Sequence, residues 1–293
     1  MKNFLLTMLI DNFLKKGVFK ILPDKQYIVL DYFLVKKEFP NLKNPQTFSD
    51  KIQWIKVYGN LKNISNYADK YTVRDYVAKT IGPRYLVPLL GVYEKFDDIP
   101  FDKFPNKFIL KISNGSGNNF ICKDKRKLNL KDLKKTVNKW MSVNYYYEHR
   151  EIQYLPCVSR IVCEEYLEDG NEEIKDFKFF CKNGEPQMVE VYSDVQTSPK
   201  VDMVDLNWKK QNVSMHFSNS TKDLKKPKQI SEMLSIVKKL SKKFPFVRVD
   251  LYLCNNKVYF GELTFTPGNG MYIIKPVEAD LSLGSLIDLS SFN

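Results

Sequence analysis

Histidine is nearly absent from this chain: His149 and His216 are the only two among 293 residues, and they lie far apart in sequence. That leaves little material for a His-rich zinc site or a Ser-His-Asp hydrolase, and it points to carboxylate and lysine chemistry. The five cysteines (Cys122, Cys157, Cys163, Cys181, Cys254) show no Cys-x-x-Cys spacing, and four sit in or beside apolar strand-like segments. They read as buried thiols of a reducing compartment. No apolar run approaches the length of a bilayer span. The apolar stretch Phe4–Ile10 is broken by Asp11 and Asn12, then followed by Lys15-Lys16 without a small-residue cleavage site. It reads as an amphipathic helix and not a secretion signal. Internal repeats and low-complexity linkers are also missing.

What is abundant is lysine. The net charge is +12, with 43% hydrophobic and 27% charged residues, a globular composition that favours anionic partners: a nucleotide, an acidic sugar polymer or an anionic membrane surface. Nucleic acid is not expected, because no basic stretch carries interleaved aromatics and no zinc-finger spacing occurs. The expected location is cytoplasmic, with the N-terminal helix able to touch the inner face of a membrane. The length allows one large domain or two to three lobes.

The most informative segment is Arg248-Val249-Asp250-Leu251-Tyr252-Leu253, followed after Asn255-Asn256-Lys257 by Val258 to Phe265. Both halves alternate, which is the pattern of a β-hairpin. If Cys254 pairs with Val258 around a three-residue loop, Asp250 stands opposite Glu262 and Arg248 opposite Thr264, all on one face. The other face collects Val247, Val249, Leu251, Leu253, Tyr259, Leu263 and Phe265. Two opposed carboxylates repel unless something cationic sits between them, and a divalent metal is the economical answer. The strand leaves through Thr266-Pro267-Gly268-Asn269-Gly270, a turn in which backbone can approach a ligand.

A second piece is the strand Phe108–Ile112, which carries Lys111 into the glycine-rich loop Ser113-Asn114-Gly115-Ser116-Gly117-Asn118-Asn119. Gly115 and Gly117 let the backbone fold over an anion, and Ser116 and the loop amides can donate to phosphate; an ordinary hairpin turn has the same composition. The third piece is the strand Arg160–Leu167, ending in Glu164-Glu165-Tyr166-Leu167 before the polar Glu168-Asp169-Gly170-Asn171. The remaining pattern predicts helices from Thr47, over 70–80, 128–147 and 228–243, and a hairpin of Asp176–Cys181 with Gln187–Tyr192.

This order of parts resembles the ATP-grasp fold, and within it the TupA-like ATP-grasp proteins of bacterial surface-polysaccharide gene clusters, which are often labelled glycosyltransferases. The resemblance rests on blocks spread over nearly the whole chain: Pro23-Asp24-Lys25-Gln26-Tyr27, Asn44 to Trp54, Ala68 to Arg74, Arg150 to Tyr154, Asp176 to Phe180, and Gly261 to Pro267.

The resemblance implies an α+β ATP-grasp fold with two lobes clamping ATP: a helical N-terminal region over 1–83, an N-lobe with the glycine loop over 84–160, and a C-lobe with hinge and hairpin over 161–293. It makes Lys111 and Lys178 phosphate and adenine-side ligands, and Ser113, Gly115, Ser116, Gly117 and Asn118 the phosphate loop. Glu164, Glu165, Tyr166 and Leu167 become the adenine hinge, with Glu168 or Asp169 at the ribose. Asp250 and Glu262 become Mg2+ ligands, and Arg248 a catalytic group steadying the transferred phosphoryl. Thr264 stands where most such enzymes have Asn, which puts a hydroxyl in the third ligand position. The implied reaction joins a carboxylate, on an acidic sugar or a lipid-linked polysaccharide precursor, to an amino acid or amine through an acylphosphate. The alternative is a glycosyltransferase using a nucleotide-sugar. Such an enzyme more typically carries an early Asp-x-Asp, and Asp202-Met203-Val204-Asp205 has the wrong spacing.

Overall fold

The computed structural model describes residues 21–170, 174–193 and 198–292. The expected N-terminal amphipathic helix at Phe4–Ile10, and Asn171 of the polar segment, lie outside these. Helix α1 (Asp24–Lys36) starts directly after Pro23 and ends at Lys37 in the left-handed region. Helix α2 (Phe48–Tyr58) begins where its cap predicts, the Thr47 hydroxyl accepting the Asp50 amide at 3.0 Å. Helix α3 (Val73–Thr80) starts three residues later than expected and stops before Gly82-Pro83, where Gly82 has φ 105°.

Strands β1 (Leu89–Tyr93), β2 (Phe108–Ile112), β3 (Asn119–Cys122) and β4 (Ile161–Glu165) form an antiparallel sheet in the order β1-β4-β2-β3. β4 is therefore an inner strand of the first sheet. β4, running to Glu165, supplies the backbone partners of both β1 and β2. Helix α4 (Leu130–Met141) buries Leu133 and Val137 against Phe108, Leu110 and Ile112. It is shorter than the expected 128–147, since the Asn144 side chain accepts the Tyr146 amide and starts a separate turn, Tyr146–His149.

The second sheet, also antiparallel, has the order β7-β6-β5-β8-β9, from β5 (Lys175–Lys182), β6 (Glu185–Ser193), β7 (Lys200–Asp205), β8 (Phe246–Cys254) and β9 (Lys257–Thr264). One face is apolar: Phe177, Phe179, Val249 and Leu251 pack under Met233, Val237 and Leu240 of α5 (Ile230–Ser241). Each such side chain contributes about 1.5–3 kcal/mol on burial. On the opposite face Phe180 and Phe246 are covered by Phe48 and Ile52 of α2, with Leu283 of α6 (Val277–Gly284) in the same cluster. The rest of that face is polar and carries the site.

The β8–β9 hairpin reaches the expected register by a different route. Cys254 pairs with Lys257, not Val258, so the loop is the two residues Asn255-Asn256, at φ 50° and 59°. Two left-handed residues make the turn whose twist suits a hairpin, and Asn tolerates that conformation. The register then shifts between Asp250 and Leu251, with Gly261 as the extra residue, and Asp250 stands opposite Glu262 and Arg248 opposite Thr264 as expected. Beyond the bulge the faces exchange: Val258 and Phe260 enter the core, whereas Tyr259, expected there, is only half-buried. All five cysteines are free thiols, Cys157 half-buried and the others buried.

Candidate active site

Antiparallel pairing lines up one rung across four strands: Glu190 on β6, Lys178 on β5, Asp250 on β8 and Glu262 on β9. Alternating strand geometry puts all four on the face away from α5. Lys178 Nζ bonds Asp250 Oδ2 at 3.0 Å and Asp176 Oδ2 at 3.1 Å. From the next rung Arg248 bonds Asp250 through Nε and Nη2, at 2.8 and 2.7 Å, and its Nη2 also reaches Glu262 Oε1 at 3.4 Å and Thr264 Oγ1 at 3.2 Å. The Thr264 hydroxyl donates to Glu262 Oε1 at 2.8 Å. The cation that opposed carboxylates require is thus built into the sheet.

Of these groups Asp176, Lys178, Asp250 and Glu262 line one wall of a cavity of about 250 Å³ between the two sheets, with Arg248 bonded behind them, and the first lobe and the segment before it supply the other wall. Lys111 Nζ bonds Glu164 Oε2 at 2.7 Å and Arg74 Nη1 bonds Glu164 Oε1 at 2.8 Å. Glu164 is paired with Ile109, so Lys111 is its diagonal neighbour across the strands. Of the glycine loop, Ser116 and Gly117 line the cavity and are exposed. Gly115 has φ 120°, and a Cβ there would lie 2.8 Å from the Tyr145 ring. Ser113 is fully buried; its amide donates to Arg160 O at 2.9 Å and its hydroxyl to Val158 O at 3.3 Å, so it anchors the loop base. The Asn118 carbonyl accepts the Ile112 amide at 3.2 Å, and it is Asn119 that lines the cavity.

Among the hinge residues only Glu164 lines the cavity, and its carboxylate is held by Lys111 and Arg74. The Glu165 amide donates to Pro88 O at 3.0 Å while its side chain is exposed, and Tyr166 and Leu167 are half-buried. Glu168 pairs with Lys107, and its carbonyl accepts from Asn255 Nδ2 at 2.5 Å, so the tip of the β8–β9 hairpin touches the segment after β4. Asp169 is half-buried.

Seven lining residues escaped assignment from sequence: Lys70, Arg74, Asn119, Asp176, Tyr252, Phe260 and Gly261. The first two stand in the block Ala68–Arg74, which drew notice only as a block. Lys70 is tied to the loop by its amide on Ser113 O at 2.8 Å and its ammonium on Gly115 O. Burial lowers the Lys70 pKa, against the pull of Glu262. For Glu262 burial acts upward, but Lys70, Arg248 and Lys178 outweigh it and hold the carboxyl down at about 2. Asp176 goes the other way, pushed up by burial despite Lys178 to about 6.

Mg2+ takes one or two carboxylates and completes its shell with water and phosphate oxygens. Asp250 and Glu262 bring that pair of hard oxygen ligands to the cavity: Asp250 Oδ2 already meets Arg248 and Lys178, Oδ1 meets Arg248 alone and keeps a lone pair to spare, and Glu262 Oε2 makes no bond among the described residues. The donor set fits the ion. Among the described residues no group of three His, Cys, Asp or Glu forms a protein-only cage.

Residues 50–288 match the family model of the TupA-like ATP-grasp proteins. The chain belongs to the TupA-like ATP-grasp family. Its α+β architecture of two antiparallel sheets is accordingly an ATP-grasp fold. Solved structures similar to this TupA-like chain include the D-alanine–D-alanine ligase of Bacillus anthracis complexed with ATP, at 16% identity over 75% of this chain and 56% of that one, TM-score 0.40. The D-alanine–D-alanine ligase of Helicobacter pylori is 16% identical over 76% and 61%, TM-score 0.38. The L-amino acid ligase of Bacillus licheniformis is 13% identical over 89% and 55%, TM-score 0.44. The chain thus spans less than two thirds of the length of each of these three. Comparison with curated proteins gives no match. No helix among the described residues is long and apolar enough to cross a membrane.

Proposed function

We propose that this protein is an ATP-dependent carboxylate–amine ligase that phosphorylates a carboxylate with ATP and joins the resulting acylphosphate to an amine. The observation that carries the reading is the meeting, at one cavity, of Lys70, Lys111 and the Ser116-Gly117 loop tip from one side with Lys178, Asp250 and Glu262 from the other, Arg248 being bonded to both acids. Lys70, Lys111 and the loop tip bind the triphosphate, a role for which lysine point charges and loop amides are suited. The strand end Glu164–Leu167 borders the base, and Glu168 or Asp169 the ribose. Mg2+, held by Asp250 and Glu262 with Thr264 beside them, would supply charge neutralisation at the β and γ phosphates.

Arg248 orients Asp250 and Glu262 and presents a fixed positive charge where the phosphoryl group passes to the carboxylate oxygen. Lys178 neutralises the same acids from the β5 side. In the second step the amine attacks the acyl carbon, phosphate leaves, and the amine proton passes to solvent or to phosphate. The carboxylate substrate is an acidic saccharide or a lipid-linked polysaccharide precursor and the amine an amino acid, acting in the cytoplasm or at the inner membrane face; family resemblance supports this class.

The test is turnover with ATP and Mg2+ in the presence of candidate acids and hydroxylamine. ADP and a hydroxamate are expected, and melting curves should show protection by ATP–Mg2+ well above that by UDP-sugars, since saturating ligand at ~100 times its Kd adds about 2.7 kcal/mol. AMP with pyrophosphate, or stronger protection by a UDP-sugar, would overturn the reading.

A further inference from the structure

A second cleft, of about 490 Å³, is joined to the nucleotide cavity by two side-chain bridges. Tyr272, a lining residue of the second, has its pKa raised by burial against the opposing charge of Arg248, which holds both acids of the first cavity. Lys178 Nζ lies 4.7 Å from the centroid of the Tyr192 ring, and the Tyr192 hydroxyl is 2.9 Å from Nε2 of His216, another lining residue. From this cleft the pair of His216 and Tyr192 thus leads to Lys178 of the first cavity.

The cleft has an aromatic wall. His216 stacks on Tyr272 with centroids 4.6 Å apart and planes at 20°, and Phe217 packs on His216 at 4.4 Å. Tyr272 is fixed from behind, since a Cβ on Gly268 would lie 2.1 Å from its ring. His216 and Phe217 are nonetheless exposed. Desolvation of the ring where it stacks on Tyr272, with Arg248 and Lys178 nearby, lowers the His216 pKa to about 4, so the imidazole is neutral at pH 7.

Beside the rings stand hydroxyls and lysines. Ser214 and Lys275 are locked together by paired backbone bonds of 2.8 and 2.9 Å, and Lys200 Nζ reaches Ser218 Oγ at 2.8 Å. Aromatic faces with a few polar groups suit a flat ring with an apolar C–H face and hydroxyl edges, and lysines suit carboxylates on it. The net charge of +12 favours the same sign of ligand.

We propose that this cleft is the acceptor subsite and holds a carboxylate-bearing saccharide, its pyranose ring against His216 and Phe217 and its acid groups at Lys275 and Lys200. The inference rests on the ligase reading and deepens it by placing the second substrate.

The test titrates the full chain calorimetrically with trimers of galacturonate, glucuronate and mannuronate, with maltotriose as the neutral control. At least one acidic trimer binds and maltotriose binds at least about tenfold more weakly. Phe217→Ala and His216→Ala each weaken that trimer by about tenfold, and Lys275→Ala weakens it and flattens its salt dependence. These side chains are exposed, and the melting temperature of each variant without ligand verifies its fold. Failure of all three acidic trimers to bind a chain that ATP–Mg2+ still protects would overturn the subsite and leave the ligase reading standing. So would binding untouched by Phe217→Ala and Lys275→Ala. Acidic-trimer binding with the expected sensitivities but no protection by ATP–Mg2+ would instead uphold the cleft and sink the ligase reading.

Discussion

Arg248 grips both oxygens of Asp250, Nε to Oδ1 at 2.8 Å and Nη2 to Oδ2 at 2.7 Å, with both residues buried on one strand. A planar fork on a carboxylate is the strong form of ion pair, and breaking it in the interior leaves an uncompensated charge. Asp250→Asn should therefore cost on the order of 3 kcal/mol of stability as well as activity. Urea unfolding of the variant checks this, and a gain in stability would mean that repulsion from Glu262 outweighs the fork.

Glu262 faces the cavity with its side chain 34% exposed, so its neutral isostere should fold well. Glu262→Gln is expected to lose about a hundredfold or more in turnover, the scale on which electrostatic stabilisation is lost. Steady-state rates beside a melting curve separate the two effects.

The acid limb of stability should carry the mark of the same residue. Its folded pKa of about 2 lies below the unfolded value near 4.5, so its contribution is present in full above pH 4.5 and is lost as pH falls through 2. Between these values the wild type should lose stability faster than Glu262→Gln. Parallel curves for the two proteins would show that Lys70, Arg248 and Lys178 do not hold the carboxyl down.

Lys70→Met and Lys111→Ala should both weaken ATP binding while the exposed Lys131→Ala does not. Only Lys70→Met should also raise the Glu262 pKa, because Lys70 is the leading charge acting on it. Nucleotide titrations and the acid limb described above report the two effects independently.

Much of this was legible because period-two alternation fixes faces. Val249 and Leu251 had to be buried, which put Arg248, Asp250, Glu262 and Thr264 together before any fold was known. Loop size was not legible from alternation alone, although Gly261 inside a strand and two consecutive Asn residues were the available signals. Lys70 and Arg74 could not be placed because they precede the first sheet and reach the cavity only through tertiary packing on Ser113, Gly115 and Glu164. Family resemblance places Glu164 in the adenine hinge, and its diagonal position to Lys111 makes it first of all a partner of the protein's own cations.

The Asn255-Asn256 turn should accept glycine. Asn256→Gly places the residue best suited to φ 59° in a two-residue loop and should add up to about 1 kcal/mol without touching turnover. Thermal melts and rates of the single variant check both halves of that statement.

The bulge at Gly261 has a consequence for how this hairpin can change length. Removing Gly261 would restore an unbroken ladder from the turn, and the following glutamate would slide into the place opposite Asp250, with Phe260 still facing the core. The opposed acids thus survive either count of residues between them. What the extra residue contributes is local: backbone without a side chain at the cavity wall, close under the Asp250 carbonyl, and added twist in the strand that carries the glutamate. Here the protein can alter the aim of a ligand without altering its pairing.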